Sequence, residues 1–306
     1  MKILPPTSES IRFAANALRS GELVGFPTET VYGIAAAATN RDAILKTFAL
    51  KKRPADNPLI VHVASLEDTT PLVNAIPLAA RKLAQAFWPG PLTLVLPKAE
   101  SVPSEATGGH DTVAVRVPNH PVALAILKET GIPLTAPSAN PFMGLSPTSA
   151  EHIASEILEG LACVIDGGRC DIGVESTVVD CSGPEITILR PGGISRGEIE
   201  GVLGQSVRAN DSNERKSPGM YKRHYSPQTP IRLVESLGPL DGGIGFGPPQ
   251  NPSQFVLPTD AAGYAHELYS TLYALDQLGC DEILIEKPPT TSDWEAVHDR
   301  LRKAQG

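Results

Sequence analysis

Four cysteines in 306 residues are too few and too scattered for a disulfide scaffold or a zinc knuckle. Cys163, Cys170, Cys181 and Cys280 stand 7, 11 and 99 positions apart and read as reduced, structural thiols. No HxxxH or HExxH pair occurs, so no metal site made by the protein alone is expected, although a cation held mainly by substrate oxygens stays open. Long apolar runs are missing too: stretches such as Gly33 to Ala38 or Leu92 to Leu96 fall far short of a bilayer span, and no membrane association is expected. The first residues, MKILPPTSES, lack the extended apolar region of a secretory signal, which makes a cytoplasmic location the expectation. Positive charge is in deficit. Residues 1–210 carry 17 basic and 21 acidic side chains and residues 211–306 carry 9 and 13, for a net charge of -8. That balance argues against strong direct nucleic-acid binding and makes any anion site a local pocket of cations. Finally, GxxxxGK[ST] and GxGxxG are absent, so ordinary NTPase and dinucleotide readings lose support.

At 41% hydrophobic and 20% charged residues, the chain reads as a soluble globular protein of one large or two smaller domains. Helical patterns alternate with strand-length apolar runs. Thr7 or Ser8 can cap a helix to Leu18, LVGFP follows as a strand, and Asn40 can cap RDAILKTFAL. LIVHVA, LTLVL, TVAVRV, ACVID, STVVD and EITILR read as strands between further helices. A doubly wound parallel sheet and a mixed sheet both accommodate this order, and the closely spaced last strands favour the mixed α/β sheet. Residues 1–205 are thus expected to form one domain, residues 206–230 a linker, and residues 231–306 a small doubly wound α/β domain. The linker is not bland, because MYKRHY packs two tyrosines and three basic residues into six positions.

Four stretches carry candidate chemistry at strand ends, where α/β sites usually lie. PTETVYG, Pro27 to Gly33, offers hydroxyls, a glutamate and a tyrosine for a small polar ligand, or simply a helix cap and a packed ring. In KKRPADNPL, Lys51 and Arg53 stand two apart in a segment expected to be non-helical and Pro-flanked; they either converge on one anion or form a solvated charge run. TAPSAN places Ser138 and Asn140 at alternate positions, suited to phosphate oxygens or to a plain polar turn. ESTVVD and ITILRPGG put Ser176 and Arg190 on strands that could be neighbours.

Taken in order, PTETVYG, KxRPxxNPLIVHV, WPGPLT, VAVRVPxHP, PLTAPSAN, ESTVVD and LRPG closely resemble the YrdC-like family of threonylcarbamoyl-adenylate synthases, from about Leu4 to Gly204. SPGMYKRHYSP and AVHDRLRKA resemble the linker and C-terminal domain of the family's longer, two-domain form. The resemblance implies a nucleotidyltransferase that condenses L-threonine, bicarbonate and ATP into threonylcarbamoyl-AMP and pyrophosphate, with Mg2+ accompanying ATP. A separate tRNA threonylcarbamoyl transferase complex would then move the group to an adenosine of tRNA. It implies catalytic roles for Lys51, Arg53, Ser138 and Asn140, and an ATP site that adds Asn57, Thr112, Ser146, Arg190 and Tyr225. It further implies an L-threonine site of Thr30, His62, Arg116, Ala136 and Ser176, with Arg116 on the carboxylate and His62 the only histidine in the site. Without it, His62 would read as a core histidine of LIVHV. Two departures stand out: MYKRHY has its tyrosine and basic residue in an unexpected order, making Tyr225 the better match, and TTSDW replaces a glycine-rich turn. The alternatives are a carbamoyl-adenylate-forming maturation factor, whose zinc-finger cysteine pairs are absent here, and a double-stranded RNA-binding protein, which the acidic balance disfavours.

Overall fold

A computed structural model describes residues 2–210, 221 and 223–305. The first unit runs β1 (Ile3–Leu4), α1 (Ser8–Arg19), β2 (Val24–Phe26), β3 (Gly33–Ala37), α2 (Arg41–Lys51), β4 (Ile60–His62), α3 (Leu78–Phe87), β5 (Leu92–Pro97) and α4 (Ser104–Thr107). It continues β6 (Thr112–Arg116), α5 (Pro121–Thr130), β7 (Leu134–Thr135), α6 (Ser155–Glu159), β8 (Cys163–Ile165), β9 (Thr177–Asp180), β10 (Thr187–Arg190), α7 (Arg196–Leu203) and β11 (Arg208–Ala209). Helices α1, α2 and α7 start where cap residues stand, because a side-chain oxygen there satisfies a backbone N–H left open by the first turn. Thr7 accepts from the Ser10 amide at 3.2 Å, Asn40 from the Ala43 amide at 3.1 Å, and Ser195 with Glu198 forms a full capping box.

The strands form one sheet in the order β1-β8-β2-β3-β7-β4-β6-β5-β9-β10-β11. It is mixed, since β2–β3, β3–β7, β5–β6 and β9–β10 are antiparallel while β2–β8, β4–β6 and β5–β9 are parallel. GIAAA of β3 has only one β-branched residue and reads poorly as a strand; pairing with β2 on one edge and β7 on the other makes it one. Because β11 pairs with β10, the sheet reaches into the stretch expected to be linker. Apolar faces of α1 and α5 pack on Phe26 and Leu134, and α3 packs over Leu92 and Leu94.

The second unit comprises β12 (Ile231–Val234), β13 (Gly243–Gly245), β14 (Gln254–Val256), α8 (Ala261–Asp276), β15 (Ile283–Glu286) and α9 (Glu295–Gln305). Its four strands are all parallel, in the order β12-β15-β13-β14. In place of the expected glycine-rich turn, Ser292–Trp294 forms a single 3-10 turn whose Trp294 packs edge-on to Tyr264. The core of this unit does not close on itself. Leu268, Leu272 and Leu301 share one apolar cluster with Val31, Leu145 and Val174 of the first unit and with Tyr225. Gly173, at φ 78°, marks how near the units lie, since a Cβ there would fall 2.5 Å from the His266 carbonyl on α8.

Candidate active site

The carboxyl end of β2 leads into a tight turn in which Thr28 Oγ1 donates to the Val31 carbonyl at 2.7 Å and lies 2.8 Å from Thr30 Oγ1. That turn fixes Thr30 at the lip of a cleft. Parallel pairing of β4 with β6 brings their last residues, His62 and Arg116, side by side at the same depth. Arg116 donates to Thr30 Oγ1 at 3.0 Å and to the Gly90 carbonyl at 3.2 Å. Its second Nη lies 2.7 Å from Glu29 Oε1, a buried ion pair in which both side chains are 4% exposed. His62 meets Phe26 edge-on at 6.0 Å, and its Nδ1 has no hydrogen-bond partner among the described residues. Burial, reinforced by Arg116, pushes the His62 pKa down to about 3, so the imidazole is neutral at pH 7.

The other end of the cleft is built on β9 and β10. Their antiparallel pairing lets Arg190 donate to the Ser176 carbonyl at 2.9 Å and to Ser176 Oγ at 3.1 Å. Ser176 Oγ is also 2.8 Å from Thr93 Oγ1. Across from them stands Arg53, buried, donating to the Pro58 carbonyl at 2.8 Å and leaving its Nε unpartnered. Burial lowers the Arg53 pKa to about 10, which keeps it cationic at pH 7.

Of the residues expected at the site, Thr30, Arg53, His62, Arg116, Ala136, Ser138, Ser176, Arg190 and Tyr225 line this one cleft. The remaining five do not. Lys51 is the last residue of α2 rather than part of a non-helical segment: the chain leaves the helix at Lys52, in a left-handed turn at φ 51°, and only then reaches Arg53. Its Nζ is buried beneath the TAPSAN loop and donates to the Ser138 carbonyl at 2.5 Å and to the Asn140 carbonyl, so it props the loop up. Burial drives its pKa well down, with Arg53 adding to the effect. Asn140 holds the following turn through Nδ2 bonds to the Pro141 and Gly144 carbonyls, each 2.8 Å, leaving Oδ1 unpartnered. Asn57 is buried with both side-chain polar atoms unpartnered, Thr112 starts β6 opposite Pro97, and Ser146 donates to Glu175 at 2.5 Å.

His62 is not the only histidine at the cleft. His224 lines it as well, with a pKa that burial lowers to about 3. Its neighbour Tyr225 has a buried hydroxyl with no partner among the described residues and a left-handed backbone at φ 59°. Tyr221 instead packs its ring against Phe142 at 5.2 Å. Of the linker stretch around MYKRHY, Ser217 to Pro227, residues 217–220 and Lys222 lie outside the described residues. Residues that sequence reasoning missed are Glu29, which holds Arg116, and Glu175, which lines the cleft beside Ser176 and accepts from Ser146, Tyr269 and Arg300. Both sit inside quoted motifs, PTETVYG and ESTVVD, so the motifs marked the place but not the partners.

An α/β sheet end carrying three buried guanidinium groups, walled in part by His224 and Tyr225 from the segment that leads to the second domain, defines the class: an enzyme domain with a cation-lined cleft. Comparison with known proteins narrows it. A family model described as Telomere recombination matches residues 16–192, and one described as Threonylcarbamoyl-AMP synthase, C-terminal domain, matches residues 194–306. The chain is 44% identical to the threonylcarbamoyl-AMP synthase of Pyrococcus abyssi, over 97% of this chain and 94% of that one. It is 40% identical to that of Bacillus subtilis, over 99% and 95%. The crystal structure of P. abyssi Sua5 complexed with L-threonine superposes with a TM-score of 0.92 at 40% identity, covering 100% of this chain and 98% of that one. The chain belongs to the threonylcarbamoyl-AMP synthase family. No helix among the described residues is long and apolar enough to cross a membrane.

Proposed function

We propose that this protein condenses L-threonine, bicarbonate and ATP into threonylcarbamoyl-AMP and pyrophosphate, acting as a nucleotidyltransferase in the threonylcarbamoyladenosine modification of tRNA. The observation that carries the reading is the convergence of Arg53, Arg116 and Arg190 on one cleft in a protein of net charge -8. Three desolvated cations at one sheet end suit two anionic reactants that must meet in line.

The chemistry needs positioning more than proton transfer. Threonine's amine adds to carbon dioxide with loss of a proton, or condenses with bicarbonate with loss of water, to give a carbamate, and a carbamate oxygen attacks the α-phosphorus while pyrophosphate leaves. Arg116 suits the threonine carboxylate, which would accept two of its N–H groups, with Thr30 close enough to share the contact. The neutral His62 adds a hydrogen-bonding edge without adding charge. Arg53, Arg190 and the Ser138 hydroxyl suit the phosphates, where they would offset the charge that builds on the leaving group. Lys51 acts from below by holding the loop that presents Ser138. Magnesium fits as a companion of the nucleotide, since the loop offers the cleft a hard oxygen donor in the Ser138 hydroxyl. When bound it neutralises phosphate charge. The product is a mixed anhydride, and a separate transferase would carry the threonylcarbamoyl group to tRNA.

Pyrophosphate release tests the reading. It should require threonine, bicarbonate and ATP together, and Arg53→Ala should lower it roughly 100-fold or more, the loss typical of a preorganised cation at developing charge. Release at an equal rate without threonine would overturn the assignment.

A further inference from the structure

Arg300, on α9, is 1% exposed and belongs to the second domain, yet its contacts lie largely in the first. Its Nε donates to Glu175 at 2.7 Å and one Nη donates to the Pro191 carbonyl at 3.1 Å. The guanidinium carbon lies 4.9 Å from the centre of the Tyr225 ring. Asp299 braces it from behind at 2.7 Å.

Glu175 and Pro191 are the chain neighbours of Ser176 and Arg190, the two cleft residues that bond to each other across β9 and β10. One side chain therefore ties the two backbone points from which that pair springs. There is no slack between these points, because a Cβ on Gly192 would lie 2.3 Å from the Glu175 carbonyl. The carboxylate that Arg300 holds also accepts from Ser146 at 2.5 Å and from Tyr269 of α8 at 3.2 Å. At the opposite end of the cleft, Arg116 bonds to Thr30 and Gly90 and pairs with Glu29, all within the first domain.

We infer that Arg300 is a positioning residue for the nucleotide end of the cleft: by gripping Glu175, the Pro191 carbonyl and the face of Tyr225, it makes the second domain a working part of the site. The inference rests on the proposed function for its assignment of that end to ATP. It differs from a purely structural ion pair in being one-sided. Loosening Arg300 disturbs Arg190, Ser176, Ser146 and Tyr225 while the Arg116 end stays wired within its own domain.

Steady-state kinetics on the full chain tests this. Arg300→Met should raise the KM for ATP roughly tenfold or more and leave the KM for threonine within about twofold, with Arg300→Lys in between. Because Arg300→Met strands a buried carboxylate, the charge-neutral pair Glu175→Gln/Arg300→Met is measured beside it; that variant should fold and keep the raised KM for ATP. A folded double variant with the wild-type KM for ATP, or parallel rises in both KM values, overturns the inference. Calorimetric titration of ATP into wild type and variants separates it from the functional reading. If the wild type made no adenylate but bound ATP far better than the Arg300 variants, the proposed reaction would fall and the role of Arg300 would stand; equal ATP binding throughout would sink that role.

Discussion

Two buried Arg–Glu pairs flank the cleft, and they differ in how far apart their partners lie along the chain. Arg116 and Glu29 join the ends of β6 and β2 within one domain, whereas Arg300 and Glu175 join the last helix of the second domain to the start of β9 in the first. Both pairs are shielded from solvent. The first pair can form as the sheet of one domain assembles. The second pair can form only after the two domains dock, so it couples that docking to the shape of the site. For Glu175 burial alone would raise the pKa, but Arg300 and Arg190 outweigh it and hold the carboxyl at about 2.

Stability gives the largest contrast. Removing one partner of a buried pair leaves a stranded charge that costs about 3–5 kcal/mol, while removing both often costs far less. Arg116→Met and Arg300→Met should therefore each shift the denaturant midpoint strongly. The matched variants Glu29→Gln/Arg116→Met and Glu175→Gln/Arg300→Met should recover most of it. Single variants that unfold at the wild-type midpoint would show that neither pair matters to the fold.

Next in size is the split between substrates. With its fold rescued, Glu29→Gln/Arg116→Met should lose roughly 100-fold in kcat/KM for threonine, having no forked cation for the carboxylate, with the KM for ATP little changed. Equal losses for both substrates would erase the distinction between the two ends.

Much of this arrangement was legible in the sequence, and the rest was hidden for physical reasons. The caps at Thr7 and Asn40 are local interactions over three residues, so the starts of α1 and α2 could be read directly. Strand neighbours were partly readable, because β9 and β10 are joined too closely for a parallel crossover. Lys51 misled: Pro54 suggests that the helix stops early, but the left-handed turn at Lys52 ends it before proline can interfere. Glu175 and Arg300 are 125 positions apart on different domains, and no periodicity encodes such a pair. His224 was hidden likewise, since its depth comes from packing of the chain against Phe142 and the end of α9.

A smaller effect, in pH, sharpens the comparison. His62 and His224 have folded pKa values of about 3 against an ordinary value of 6.5, so below pH 6.5 the unfolded chain takes up protons that the folded chain refuses. Stability should fall as the pH drops from 6.5 toward 3. Glu175, held at about 2 against 4.5, adds a further loss that begins only below pH 4.5. Denaturant midpoints at intervals across this range should show the second slope become shallower in Glu175→Gln/Arg300→Met and keep its size in Glu29→Gln/Arg116→Met. Unchanged slopes in both would contradict these protonation states.

The smallest effect comes from the amino acid's methyl group. Serine lacks only a methyl group, worth about 1 kcal/mol, and should lose roughly fivefold in kcat/KM relative to threonine. Valine leaves the hydroxyl's buried partners unsatisfied and should be rejected by several orders of magnitude. Comparable use of valine and threonine would remove Thr30 from the amino-acid contact.

The most direct measurement mixes the protein with threonine, ATP, magnesium and carbon-13 bicarbonate and follows the products by mass. A threonylcarbamoyl-AMP ion carrying the labelled carbon, formed together with pyrophosphate, is the predicted result. Release of AMP and pyrophosphate with no labelled adduct at any time would contradict it.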